Sequence, residues 1–306
     1  SIMRHRLFER FLLVSLIITL SFRMASGQDV ILGILEESHG HYAGDPNYRN
    51  VRVVFEKKGD VWQAFPSDCE NQNCLKTITS SYPNEVKWWI EFDGKIVGQE
   101  VSHNRRDFRW YSDVGQQEII GTDPVPTIGA RSREFGGYTD AEVYRPLIAN
   151  SRQYFTDPDR WKPFAASPEL TTVLQQAFRQ NFPKLCRLSE ADNNTLEPLP
   201  YRDEDVKLVK SYESKSGWVV ARLHLEAIDC ADVEAGFDID DPWFVIESNK
   251  KTVTYLDSGI WLVDAGDYDH DGRSELVFSI NRENEGGYEI YYDGFRKHAT
   301  FKFSYH

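Results

Sequence analysis

The stretch Asp267-Tyr268-Asp269-His270-Asp271-Gly272-Arg273-Ser274-Glu275 sets carboxylates at positions 1, 3, 5 and 9 around a glycine at position 6. That spacing is the spacing of a calcium loop. A hard cation of this size takes six to eight oxygens at about 2.3–2.6 Å, and a short loop supplies them from alternate side chains and a backbone carbonyl. The expected ligands are Asp267, Asp269, Asp271, the main-chain carbonyl of Arg273, and Glu275, with Gly272 giving the backbone freedom for the turn. An EF-hand would need a bidentate Glu at position 12 on a following helix. Position 12 is Phe278, inside Glu275-Leu276-Val277-Phe278-Ser279-Ile280, a run of strand-forming residues. The EF-hand is therefore excluded, and a solvated acidic turn is the plain alternative to an ion site.

Working outward, Gly259-Ile260-Trp261-Leu262-Val263-Asp264-Ala265-Gly266 precedes the loop, so the unit is strand, acidic loop, strand. A hydrophobic strand, then Gly-Asp-x-Asp-x-Asp-Gly-x-x-Glu, then a second strand closely resembles the calcium loop of FG-GAP and VCBS repeats, the blades of integrin-alpha-like propellers. The resemblance covers one blade, with no second good copy along the chain. It implies a β-propeller-like fold, a structural Ca2+ ion, and a role in binding proteins or glycans outside the cell.

The N-terminus carries Met3-Arg4-His5-Arg6, an apolar run from Phe11 to Leu20, and Ala25-Ser26-Gly27, small residues suited to cleavage. This is the pattern of a secretory signal over 1–27, with the mature chain expected to start near Gln28. The run is too short for the ~20 apolar residues that span a bilayer, so no stable transmembrane anchor is expected. Loss of this segment, with four arginines and one glutamate, moves the formal charge from −13 to −16. So acidic a chain lacks the basic stripe that displaces counterions from phosphates, which argues against nucleic acid as a partner. Cations, basic proteins and sugars remain.

Cys69, Cys74, Cys186 and Cys230 make an even count, which in an exported protein favours disulfides. Of three connectivities, Cys69 with Cys74 and Cys186 with Cys230 is preferred, since a short polar loop separates the first pair. No spacing suits a zinc site.

Short strand-like runs recur from Ile31 to Tyr305, separated by Gly, Asp, Asn and Pro, with Lys58-Gly59-Asp60 and Asp93-Gly94-Lys95 as tight turns. One helix interrupts them: Ser167 is its cap, Pro168 its first residue, Leu170, Val173, Leu174, Ala177 and Phe178 its apolar face, and Pro183 its stop. Residues 28–306 thus read as one all-β, propeller-like domain with a helical insertion near 167–182, a β-sandwich being the alternative. Blades of about 40–45 residues would divide it into roughly six. The last strand, running to the chain end, is expected to close the ring by pairing with an N-terminal strand.

Weaker candidates are Gly236-Phe237-Asp238-Ile239-Asp240-Asp241-Pro242, a degenerate acidic loop; His39-Gly40-His41 with Glu36, Glu37 and Asp45; the adjacent Trp88 and Trp89 as a binding surface; and the sequon Asn193-Asn194-Thr195. No Gly-x-Ser-x-Gly elbow, His-Glu-x-x-His, phosphate loop or dinucleotide fingerprint occurs. The reading is a secreted calcium-binding protein that acts as a non-catalytic module for an extracellular protein or glycan. The alternative is a secreted propeller-type glycoside hydrolase using scattered carboxylates.

Overall fold

The computed structural model describes residues 29–38, 48–69, 71–92, 94–105, 107–120, 146–189, 195–230, 241–249 and 252–305. Strands dominate and their pairing is antiparallel. The first seven are β1 (Val30–Ser38), β2 (Tyr48–Lys58), β3 (Val61–Ala64), β4 (Glu85–Phe92), β5 (Lys95–Asn104), β6 (Gln116–Ile120) and β7 (Leu147–Asn150). They lie in the order β1-β7-β4-β5-β6-β2-β3, and because β1 also pairs with β2 the pairing of six strands closes on itself. The two expected turns make the β2–β3 and β4–β5 hairpins, where Gly59 and Gly94 adopt φ of 59° and 68°. That left-handed backbone is available to glycine without a steric cost.

The expectation of a single helix is corrected here. A first helix, α1 (Gln72–Thr79), is capped by Asn71, whose Oδ1 accepts from the Asn73 and Cys74 N–H groups at 3.1 and 3.0 Å. It begins inside what reads from the sequence as a polar loop between two cysteines and runs on past Cys74, and Cys69–Cys74 bridges its start.

After β8 (Lys162–Pro163) comes α2 (Pro168–Asn181), beginning at its expected cap: Ser167 Oγ accepts from Leu170 N–H at 3.3 Å. Then follow β9 (Leu185–Leu188), β10 (Leu196–Pro198), β11 (Lys207–Glu213), β12 (Val219–His224), β13 (Ile228–Asp229), β14 (Pro242–Ile246) and β15 (Val253–Ser258). A five-stranded sheet runs β15-β14-β12-β11-β8, and a small one runs β10-β9-β13. Cys186 of β9 is bridged to Cys230, just beyond β13, so both disulfides have the pairing preferred from the sequence.

The chain ends in a four-stranded meander of β16 (Ile260–Gly266), β17 (Glu275–Arg282), β18 (Glu285–Tyr292) and β19 (Lys297–Ser304). This meander is a middle layer. Val263, Val277, Ile290 and Phe301 join the core of the N-terminal sheet, while Leu262, Leu276, Phe278 and Ile280 pack with Trp243 and Val245 of the five-stranded sheet. Alternate residues of a strand face opposite sides, so burial on both faces accounts for the unbroken apolar run from Leu276 to Phe278. The other face of the five-stranded sheet is covered by α2, through Leu170, Leu174, Ala177 and Phe178.

The last strand departs from expectation. Among the described residues β19 pairs with β18 alone and with no strand of the N-terminal sheet. β19 meets the N-terminal sheet with its side chains: Phe301 and Phe303 enter that core, and the Arg52 guanidinium lies 4.0 Å from the Phe303 ring centre. Among the described residues no helix is long and apolar enough to cross a membrane. The expected signal segment, 1–27, lies outside them.

Candidate metal centre

The acidic loop joins β16 to β17 and is held from beneath. Gly266, the last residue of β16, lies so close to Tyr268 that a Cβ would sit 2.7 Å from the ring. Tyr268 is fully buried, which anchors the loop root in the core. Its carbonyl accepts from Asn150 Nδ2 at 2.9 Å, and Asp267 N–H donates to the Thr156 carbonyl at 2.7 Å. The chain reverses through His270 and Gly272, at φ of 63° and 90°. Ser274 fastens the far side, its hydroxyl donating to Asp157 Oδ1 at 2.5 Å and its N–H to Asp159 Oδ2 at 2.9 Å.

These constraints turn carboxylates inward. Asp267 accepts from the Asp271 and Gly272 N–H groups at 2.8 and 3.0 Å, and Glu275 accepts from Tyr268 N–H at 2.8 Å. Oxygens of Asp267, Asp269 and Glu275 all fall within 4.8 Å of one another. Asp267 and Glu275 are only 4% and 2% exposed. Asp271 stands outside this trio, exposed, with its Oδ1 accepting from Arg273 N–H at 2.8 Å. The Arg273 guanidinium is engaged elsewhere, with Asp293 at 3.2 Å.

Burial raises the pKa of Asp267, and the charges of Asp269 and Asp271 add to it. Glu275 is raised well above the usual carboxylate range, first by burial and then by Asp269. Asp271 is raised by the same two causes. The Lys57 ammonium, reaching over from β2, contacts Asp269 Oδ2 and lies 5.4 and 5.3 Å from the Trp62 and Tyr292 ring centres, and the Arg273 charge also favours the ionised form of Asp271. Asp267, Asp271 and Glu275 stay raised despite these cations, so the clustered negative charge is in excess. The donor set fits a hard divalent cation, since it consists of oxygens with no thiolate or imidazole among them. A cleft of about 480 Å³ lined by Lys57, Asp269, Asp271 and Tyr292 leads to it.

Lys57, Asp157 and Asp159 escape a reading of the sequence, because each lies over a hundred positions from the loop residue it touches. Among the weaker candidates, Glu36 is taken by Arg52 and by the Tyr288 hydroxyl, at 2.8 and 2.7 Å. Asp241 pairs with Arg222 and His224. His39, His41, Asp45, Asn193, Asn194 and 236–240 lie outside the described residues. Trp88 is buried in the core with its indole N–H on Ser102 Oγ at 2.7 Å, and its neighbour Trp89 is half-buried beside Lys87. Compared with known proteins, the chain matches no family model, no curated protein and no solved structure.

Proposed function

We propose that the protein is a secreted calcium-binding module of the FG-GAP/VCBS kind, with the ion held by Asp267, Asp269, Asp271, the Arg273 carbonyl and Glu275. The observation that carries this reading is the Asp267, Asp269 and Glu275 trio, within 4.8 Å, on the connection between the first two strands of a four-stranded meander. Support for blade-like units comes from that meander packing face to face on the five-stranded sheet. Two disulfides and the signal-like leader support export. The ion's part is structural: it neutralises buried carboxylates and fixes the loop against the 150–159 segment. The module's ligand is an extracellular protein or glycan.

A ligand that binds only the folded loop stabilises by mass action, by about 2.7 kcal/mol at a hundred times Kd. Thermal melts should therefore rise with calcium and fall with chelator, and Asp267→Ala should abolish the difference. Identical melts of the wild type in calcium and in chelator would leave the loop an acidic turn.

A hydrolase reading has one observation in its favour. A cavity of about 540 Å³ is lined by Glu285, Glu289 and His298, and burial raises the Glu289 carboxyl. Such a carboxyl suits a general acid. Both its oxygens already accept hydroxyls, from Tyr291 at 2.8 Å and Thr300 at 3.2 Å, so the binding reading is preferred. Turnover of aryl glycosides by the wild type and its loss in Glu289→Gln would reverse that preference.

A further inference from the structure

Arg273 and Ser274 of the acidic loop line a further cavity, of about 480 Å³, at the junction of the five-stranded sheet and the C-terminal meander. Four of its lining residues, Trp161, Trp218, Tyr291 and Phe295, form an aromatic group, Tyr291 lying 6.1 Å from Phe295. Trp218 and Phe295 stack at 5.6 Å with their planes 28° apart, and Trp161 meets Phe295 edge-on at 6.0 Å. Trp161 is 7% exposed, and its indole N–H has no acceptor among the described residues. Beside the rings, Asp159 and Glu247 face Arg273 and Arg296 in equal number. Both guanidiniums are largely exposed, at 62% and 71%, and share the Asp293 carboxylate.

The geometry points to this cavity as a saccharide site, in which a pyranose ring lies against Trp218 and Phe295 and its hydroxyls meet Ser216, Glu247 and the two arginines. The assignment rests on the glycan side of the function proposed above and gives it a place. A pyranose has an apolar C–H face and a girdle of hydroxyls that both donate and accept. It therefore needs an aromatic surface together with donors and acceptors on the same wall. Guanidiniums only donate and carboxylates only accept, so the two kinds are complementary to such a girdle. The charge balance selects against other ligands of this size. A quaternary ammonium would meet two arginines, and a phosphate would meet Asp159 and Glu247. The volume falls within the range of about 300–1,000 Å³ in which small ligands are enclosed.

The cavity and the acidic loop share a wall. Ser274 is bonded to Asp157 and Asp159 and lines the cavity along with Arg273. An ion that orders 267–275 therefore also sets Arg273 and Ser274, and saccharide affinity should fall when calcium is chelated.

The test is a panel of free glucose, galactose, mannose and N-acetylglucosamine, read by saturation-transfer NMR and calorimetry on the intact protein with calcium and with chelator. Expected is binding of at least one sugar by the wild type, weakened about ten-fold or more by Trp218→Ala, as befits loss of a central aromatic contact. Glu247→Gln and Ser216→Ala, partly or fully exposed positions that leave the core intact, should weaken it as well, with unchanged melting temperatures. Sugar binding untouched by all three substitutions would overturn the placement in this cavity while leaving a glycan-binding function standing. No binding of any of the four sugars, with or without calcium, would overturn the inference itself; the calcium-dependent melt then still judges the metal reading separately.

Discussion

Gly272 and Gly287 are both needed, for different physical reasons. Gly272 holds φ of 90° with nothing near its Cβ direction, whereas a Cβ on Gly287 would lie 2.1 Å from the Phe301 carbonyl oxygen on the paired strand. Gly272→Ala should therefore cost only the left-handed strain of about 1–2 kcal/mol. Gly287→Ala must push β19 off β18 and should cost about 3 kcal/mol or more. Urea denaturation in chelator ranks the two, and an equal cost would mean that β19 can yield. Glu289 makes a prediction in pH. Burial raises its carboxyl pKa in the folded protein, so its favourable contribution is present below the usual carboxylate range and is lost as pH rises through the raised value. Glu289→Gln stays neutral throughout. Its stability relative to wild type should improve from about pH 4 to pH 7, read from denaturation midpoints at both; a constant difference would place the titration outside this group. At this scale the acidic loop was legible because its carboxylates fall within nine consecutive positions, and Lys57 was not, because 212 positions separate it from Asp269.

Elements were legible where local chemistry settles them. The hairpin turns at Gly59 and Gly94 and the capped start of α2 all appear where glycine, serine and proline place them. Replacing Ser167 by alanine should destabilise by about 1 kcal/mol, as removal of an N-cap acceptor does, with the loss visible in thermal denaturation. A loss indistinguishable from zero would mean that packing of Leu174 and Phe178 alone fixes the helix start. What stayed hidden were elements defined by their neighbours. The Leu-Ile-Ala-Asn of β7 is buried throughout because it fills the gap between β1 and β4, and four residues carry no periodicity of their own. α1 has an Asn cap and a lone buried leucine, Leu75, too little for an apolar stripe beside two cysteines. The two-sided burial of β17 shows in its sequence only as an apolar run, which does not say what lies on either face.

For the whole molecule, the acidic loop is a contact between its two ends: Asp269 belongs to the C-terminal meander and Lys57 to β2 of the N-terminal sheet. This makes Lys57 a tethered counter-ion at the place where the proposed calcium would sit. The two cations oppose each other there. Lys57→Met keeps the stem that packs near Trp62 and Tyr292 but removes the charge. In chelator the variant should be less stable than wild type, because Asp269 loses its partner in a poorly solvated site. With calcium the order should reverse in affinity. A unit charge a few ångströms from a divalent ion opposes binding by about 2 kcal/mol even at the dielectric of water, so the variant should bind calcium at least about ten-fold more tightly. Magnesium should remain a poor substitute in both proteins, since it requires near-octahedral ligands at about 2.0–2.1 Å and gives up water reluctantly. Calorimetric titration of chelator-treated protein with each metal measures the two affinities, and urea denaturation in chelator measures the stability difference. Unchanged calcium affinity in Lys57→Met would remove Asp269 from the ligand set, and magnesium binding as tight as calcium would mean that the loop closes into a smaller, more regular cage than calcium needs.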